Sequence, residues 1–478
     1  MSPEVRSQPT EFTEGPDQIS SMPVTMKAKH PLWRRRRYQV SGAVVLVALI
    51  AVFVANNFLA QQYTPEGAVR QYMAALQAGD AAKAWDAIQV AAPTAPVAAT
   101  VADRASLQAA FSAGRPDIKD FVVTSTSQLD STTTAVEVTY DTSAGSKQAK
   151  FLVQRSGQTH LGIYPVWHLV ITPTILEITL PKGTSGVSID GKAVALPQGT
   201  SSIAVLPVAH KLQFNGTAVL AAQMVSLDAF YSLAQSVRYT PSLTPGGLGK
   251  AKAAINAYFA ACAKQTSLTP AGCPQTESNG FVSSGQWQLV GDSTQDLAIG
   301  FDKNLNPVGT GHFQMVIAYQ EDGYTGTLHD ASSGGYSAGL LLTSSDVTVT
   351  SITSTNGLAG LQRPAAASDQ AAKDLVAKAF AQCAAARAAA QADCPQGLAF
   401  PDVTNVSWSL SGDPLSAATV SFDPQSGLYT VQGNFNMTTQ YYVQGYPYSR
   451  PSYTTTYKAY LLWDGQALRL ITISGDLG

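Results

Sequence analysis

Two pairs of cysteines share one spacing, and that repetition constrains this chain more than any other feature. Cys262 and Cys273 form the first pair, Cys383 and Cys394 the second, and each second cysteine is followed by Pro-Gln. The pairs are offset by 121 residues, and other landmarks keep the same register. Phe259-Ala260 matches Phe380-Ala381, and the segment from Trp287 to Asp292 matches that from Trp408 to Asp413. Phe301-Asp302 matches Phe422-Asp423; one residue of slip later, Gly311, Phe313 and Met315 match Gly433, Phe435 and Met437. Residues 246–358 and 366–478 therefore read as two copies of one domain.

Each copy opens on a helical pattern. Ile255, Phe259 and Cys262 fall at i, i+4 and i+7, and Val376, Phe380 and Cys383 repeat the spacing. Strand patterns follow in copy one at 286–290, 296–301, 312–319 and 340–352. A helix followed by an antiparallel sheet predicts an α+β unit. Four cysteines allow three connectivities, and the duplication favours one disulfide within each copy, Cys262–Cys273 and Cys383–Cys394. A metal site is not expected, because there is no C-x-x-C and no histidine near either pair.

The beginning of the chain is built differently. No charged residue occurs between Arg37 and Glu66, and residues 43–55 are apolar throughout. Residues 38–60 predict a transmembrane helix, since about 20 residues at 1.5 Å per residue cross a hydrocarbon core of about 30 Å. Residues 1–37 hold seven Lys/Arg against four Asp/Glu, and the remainder holds 23 against 28. This places a disordered tail, 1–37, in the cytoplasm and the bulk of the chain outside it. The expectation is a single-pass membrane protein anchored through residues 38–60. No A-x-A pair between Tyr38 and Gln62 supports a cleaved signal peptide instead. Only 13% of residues are charged, which suits extracytoplasmic β-rich domains, and a net charge of −2 gives no pull toward nucleic acid.

Between the span and the repeats lie two further units. Thr64-Pro65 opens a helix with Val69, Tyr72, Met73 and Leu76 on one face, ending at Gly79; Asp80 caps a second. A third helix is expected around 104–113, then strands at 121–126, 135–140, 148–154 and 167–171. This predicts an α+β domain over 62–172. Residues 173–230 alternate, with a hairpin signal at Asp190-Gly191, and predict a small β-sandwich. Linkers rich in Pro, Gly, Ser and Thr follow at 240–249 and 353–368.

The basic patch at Arg34–Arg37, the span, the Thr-Pro-capped helix with its Gln77-Ala78-Gly79-Asp80 turn, and the Ser188-Ile189-Asp190-Gly191-Lys192 hairpin together resemble bacterial TcaA-like envelope proteins. The resemblance covers residues 34–230 and implies an NTF2-like fold for 62–172. It also implies an envelope protein linked to cell-wall stress. The chain departs from that family by lacking an N-terminal zinc ribbon, since no cysteine precedes Cys262.

No familiar catalytic constellation is met. Gly335-Tyr336-Ser337-Ala338-Gly339 fits G-x-S-x-G, yet all six histidines precede Ser337, and the second copy carries Lys458 in its place. S-x-x-K, H-E-x-x-H and Walker A sequences are absent. His160 and His168 flank one strand-turn, where structural roles are commoner than ligation. No catalytic residue, cofactor or metal is expected, and the chain reads as a non-enzyme. The sequons at Asn215, Asn405 and Asn436 matter only in a eukaryotic secretory route.

The tyrosine-rich stretch of copy two is the candidate binding surface. Tyr441, Tyr442, Tyr446, Tyr448, Arg450 and Tyr453 flank a hairpin around 445–451, and copy one has almost no aromatics there. Exposed tyrosines suit protein or glycan contacts, although cross-strand packing explains the same pattern. The function expected is a non-enzymatic envelope protein that binds a partner protein, a cell-wall component or a small ligand. The alternatives are a transmembrane sensor acting through its tail and an uncharacterised hydrolase. The hydrolase would gain only if folding clustered carboxylates, or a histidine with an aspartate, in a cleft.

Overall fold

The computed structural model describes residues 46–476 except 55, 58–59, 182–183, 185, 229–233 and 399–402. It corrects the expected fold class. Among the described residues the chain is mostly β, with 44% in strands and 19% in helices, arranged in several sheets rather than in balanced α+β units. The reason is that each repeat contributes one named helix against long hairpins. Leu328–Leu342 fills most of the gap between the expected strands 312–319 and 340–352, pairing through Gly339 with Pro307–Tyr319.

The expected transmembrane helix is not found. Residues 46–54 are helical, but no helix among the described residues is long and apolar enough to cross a membrane. The tail 1–37 and residues 38–45, 55, 58 and 59 of the expected span lie outside the described residues.

From Pro65 onward the chain forms one compact unit. Helices Pro65–Ala78, Ala81–Asp86 and Arg104–Ala113 pack on a five-stranded sheet. Its order is Ile88–Val90, Tyr164–Ile171, Gly145–His160, Thr133–Thr142 and Asp120–Gln128. Val69, Tyr72, Met73 and Leu76 make one helical stripe and are all buried against Val136, Phe151 and Leu169. Asp80 and Asp103 cap the second and third helices through the backbone N–H groups of Lys83 and Ser106.

Two four-stranded sheets follow, packed face to face around Leu176, Ile178, Ile189, Ile203, Leu212 and Phe214. The sandwich reaches beyond 173–230 at both ends. Ala99–Val101, from the Pro/Ala-rich passage of the preceding domain, pairs in parallel with Ile203–Val205. Ala234–Arg238 pairs in parallel with Thr174–Leu180. Asp190 (φ 52°) and Gly191 (φ 83°) make the turn between Val187–Ile189 and Lys192–Val194, because that turn type needs positive φ at both positions. The Asp190 carboxylate then accepts from His210 Nδ1 at 2.6 Å and from the Lys211 N–H at 2.8 Å, locking the hairpin to the opposite strand.

The repeats keep a common frame. In copy one, the helix Pro245–Ala263 covers a sheet ordered Gln286–Leu289, Pro307–Tyr319, Leu328–Leu342 and Val347–Thr355, with Ala298–Phe301 also on Pro307–Tyr319. In copy two, the helix Asp369–Ala384 covers strands whose long hairpin is interrupted. Tyr429–Asn434 and Asn436–Val443 replace one long strand; Tyr446–Pro451 and Thr456–Trp463 replace the next. Both disulfides close within a copy, Cys262–Cys273 and Cys383–Cys394.

The matched residues hold each helix to its sheet. Trp287 Nε1 donates to Ser267 O at 2.8 Å, and Trp408 Nε1 to Ala388 O at 2.9 Å. Gln275 and Gln396, both buried beside the disulfides, donate to the carbonyls of Cys262 and Cys383 near the helix ends. Phe259 packs edge-on to Tyr336 at 5.2 Å, and Phe380 edge-on to Tyr457 at 4.8 Å. The tyrosine hydroxyls donate to Ser293 O and Pro414 O. Gly311 and Gly433 are required by those rings, since a Cβ would sit 2.9 Å and 3.1 Å from the Tyr336 and Tyr457 hydroxyls.

The copies also bind one another. Val290 and Val316 of copy one and Leu462 of copy two form a small shared core. Thr325 exchanges backbone hydrogen bonds with Ala390 and Ala392 in the disulfide loop of copy two. His329 Nδ1 donates to Asp393 Oδ2 at 2.6 Å across the same boundary.

Candidate functional site

The strand Pro307–Tyr319 has two faces with period two. Phe313, Met315 and Ile317 point into the core of copy one. His312, Gln314 and Val316 face the other way, toward copy two, where Val316 joins the shared core. His312 and Gln314 line a cavity of about 470 Å³ between the repeats. Copy one supplies Val290–Ser293, Gln295 and Asp296; copy two supplies Phe422, Gly427, Tyr429 and Trp463. The linker 359–364 closes the third side. It is held there by Leu361 N–H donating to Pro424 O at 2.7 Å and by Gln425 Nε2 donating to Leu358 O at 3.3 Å.

His312 is 6% exposed. Its Nδ1 and its backbone N–H both face the Asp296 carboxylate, at 2.6 Å and 3.1 Å. Nδ1 therefore carries a proton and donates it, which leaves Nε2 as the free end of the ring. That Nε2 is buried and has no hydrogen-bond partner among the described residues. Tyr429 is fully buried, and its hydroxyl makes no hydrogen bond of ordinary geometry among the described residues, although the Arg363 guanidinium acts on it through a weak side-chain hydrogen bond. Burial raises its pKa above the ordinary value, against the opposing pull of Arg363, so the phenol stays neutral and able to donate. The Arg363 guanidinium lies 5.4 Å from the centre of the Tyr429 ring. It is anchored by Ala367 O, to which Nε donates at 2.9 Å, and by a short ion pair with Asp369.

The acidic wall is internally compensated. For Asp292, desolvation raises the pKa, but hydrogen bonds from Thr294 and Asn256 with the charge of Lys252 outweigh it and hold the carboxyl below its ordinary range. Asp296 is engaged by His312. The Ser293 hydroxyl, also in the wall, donates to Asn256 Oδ1 at 2.8 Å, so it is not the partner of Nε2. The cavity thus combines aromatic side chains with two polar atoms buried beneath its wall. Each buried polar atom left unpaired costs about 1–3 kcal/mol, so a partner supplied by a ligand is worth a comparable amount.

None of the six residues expected to bind lines this cleft. Tyr441 is buried, stacked on its cross-strand partner Tyr448 at 5.8 Å. Tyr442, Tyr446, Tyr448 and Tyr453 are exposed, and every residue of the edge strand Tyr446–Pro451, Arg450 included, faces solvent. The G-x-S-x-G motif is not an elbow: Ser337 sits mid-strand, between Thr310 and Thr353. His160 stands opposite Tyr164 and His168 opposite Gln154, so those two histidines are not a pair. The His312–Asp296 pairing was not singled out from the sequence. The sole signal was alternation, a polar His and Gln between core positions of one strand.

No family model matches this chain, and no curated protein matches it. Among solved structures, a match described as an NTF2-like protein involved in plasmid conjugation aligns with 41% of this chain and 77% of its own, at 7% identity. Its TM-score of 0.14 is too low to carry an argument about fold or role.

Proposed function

We propose that this chain is a non-enzymatic binding protein of an oxidising, extracytoplasmic compartment, and that it holds a small ligand in the cleft between its two repeats. One observation carries the reading. His312 and Tyr429, contributed by different repeats, both line one cavity, and His312 Nε2 and Tyr429 Oη lie buried just beneath its wall with no hydrogen bond of ordinary geometry among the described residues. Natural proteins pair more than nine in ten such groups, so two at one cavity point to a missing partner. Both disulfides support the compartment, since cytosolic thiols are kept reduced. The expected cell-wall component or partner protein of the cell envelope belongs to this reading as the source of the ligand.

The test is calorimetric titration of the full chain with small-molecule fractions of its host's envelope, repeated with His312→Asn and Tyr429→Phe. Binding that weakens at least tenfold in both variants supports the reading; undiminished binding in both contradicts it.

A second reading, a hydrolase, draws on the His312–Asp296 pair, whose Nε2 could take a proton from a bound hydroxyl or water. Turnover of ester or glycoside substrates abolished by His312→Asn would favour it over simple binding.

A further inference from the structure

The two disulfide loops match in length and position but not in what they touch. The loop between Cys383 and Cys394 receives the tip of the copy-one hairpin formed by Pro307–Tyr319 and Leu328–Leu342. Thr325 N–H donates to Ala390 O, and Ala392 N–H to Thr325 O, both at 2.9 Å. Gln391 Nε2 donates to the same Thr325 O at 2.8 Å. His329 meets the Asp393 carboxylate twice, through its backbone N–H at 3.0 Å and through Nδ1 at 2.6 Å. At the offset of 121, Gln391 matches Pro270 and Asp393 matches Gly272, and neither of those offers a side-chain hydrogen bond. Asp393 holds φ 55° where Gly272 holds φ 78°, a left-handed backbone that is harder for aspartate than for glycine. That strain is retained where the carboxylate docks the other repeat. The loop of copy one is fastened inside its own repeat, by Tyr258 Oη donating to Gly272 O at 2.7 Å and by Trp287 Nε1 donating to Ser267 O.

We infer that Cys383–Cys394 is a redox-sensitive latch between the repeats: opened by a dithiol, it releases the copy-one hairpin tip from copy two, whereas opening Cys262–Cys273 leaves the repeats docked. Asp393 is the residue before Cys394, so the crosslink to Cys383 near the helix end fixes where the docking carboxylate stands. Cys394 is the less buried of the two cysteines and lines a cavity of about 650 Å³ between the repeats, so a dithiol meets it first. One thiolate of the dithiol attacks Cys394 Sγ and expels the Cys383 thiolate, which takes up a proton. The second thiol then displaces Cys394 as a thiol, so that two electrons and two protons have passed from the dithiol, which leaves as a disulfide. Gln396 and Trp408 still bond to Cys383 O and Ala388 O, so copy two stays folded while the segment 390–393 loses its fixed place.

The test is amide hydrogen exchange of the full chain, read at Thr325 and His329, whose N–H groups donate across the boundary. Dithiol is expected to speed exchange at both by about tenfold. The double variant Cys383→Ala, Cys394→Ala is expected to show the faster exchange without dithiol and no response to it. The double variant Cys262→Ala, Cys273→Ala is expected to behave as the native chain with and without dithiol. Unchanged exchange in the strand Tyr429–Asn434 shows that copy two remains folded. Asp393→Gly borrows the residue of copy one, keeps both disulfides and is expected to speed His329 exchange by about tenfold. Exchange at Thr325 and His329 that ignores dithiol, or that speeds equally when Cys262–Cys273 is removed, overturns the latch. So does loss of protection throughout copy two on reduction, or native exchange at His329 in Asp393→Gly.

Discussion

The two repeats share their internal fastenings and differ where they face each other and the solvent. Trp287 and Trp408, Gln275 and Gln396, Tyr336 and Tyr457 make the same hydrogen bonds in both copies. His312 and Asp296 have no counterpart in copy two, and the long hairpin of copy one becomes a broken hairpin carrying exposed tyrosines in copy two. Shared positions hold helix to sheet, and a few of them, Gly291, Asp292 and Phe422, also reach the cleft, whereas His312, Asp296 and the tyrosines of the free edge are diverged. Duplication thus separates the residues that make the fold from those free to acquire a task.

The strongest challenge to that equivalence is Phe259→Ala against Phe380→Ala. Both rings are fully buried beneath their helices, so each loss is expected to cost about 3–5 kcal/mol in chemical denaturation. A cost in one copy more than twice that in the other would break the claim of a common frame. Next come the disulfides. Removing either pair as a double alanine is expected to lower stability by about 3 kcal/mol, because the two loops have equal sequence separations of 11. Matching denaturation midpoints for the two variants would sharpen the comparison; a midpoint unchanged in either would count against it. His312→Asn loses the hydrogen bond from Nδ1 to Asp296 at a buried position and is expected to cost about 1–3 kcal/mol.

Smaller effects separate the repeats from the N-terminal domain. The repeat helices are capped by hydroxyls, Thr244 and Ser368, which do not titrate in the acid range. The helix Arg104–Ala113 is capped by Asp103, whose carboxyl is held at about 2 by hydrogen bonds from the Ser106 hydroxyl and backbone and by Lys192. A lowered carboxylate stabilises above its ordinary pKa of 3.8, and that contribution fades as pH falls toward 2. Asp103→Ala is therefore expected to cost about 1 kcal/mol near neutrality and progressively less between pH 4 and pH 2. Ser368→Ala should cost a similar amount with no such decline. Melting curves across that pH range check both.

Much of this frame was legible in residues. Paired landmarks at one offset identify a repeat, and the Ile255–Phe259–Cys262 spacing identifies the buried helix face, because both patterns are local. The α+β balance was misjudged. No strand is expected between 319 and 340, yet Gly335 lies inside a strand paired on both sides. Pairing between distant strands leaves little local trace, and the parallel strand Ala99–Val101 was missed for the same reason. The cleft was illegible because His312, Arg363 and Tyr429 are far apart in the chain and meet only when the repeats dock. The tyrosine hairpin, by contrast, was conspicuous as composition, while its inward Tyr441 and outward Tyr442 follow from strand alternation.

The central claim is that the repeats together make a ligand site that neither makes alone. A crystal structure of the full chain isolated from its host, at a resolution that orders water, tests it most directly. The account predicts a small molecule within hydrogen-bond distance of both His312 Nε2 and Tyr429 Oη. A cleft holding only water, with both atoms hydrogen-bonded to protein side chains, would contradict it.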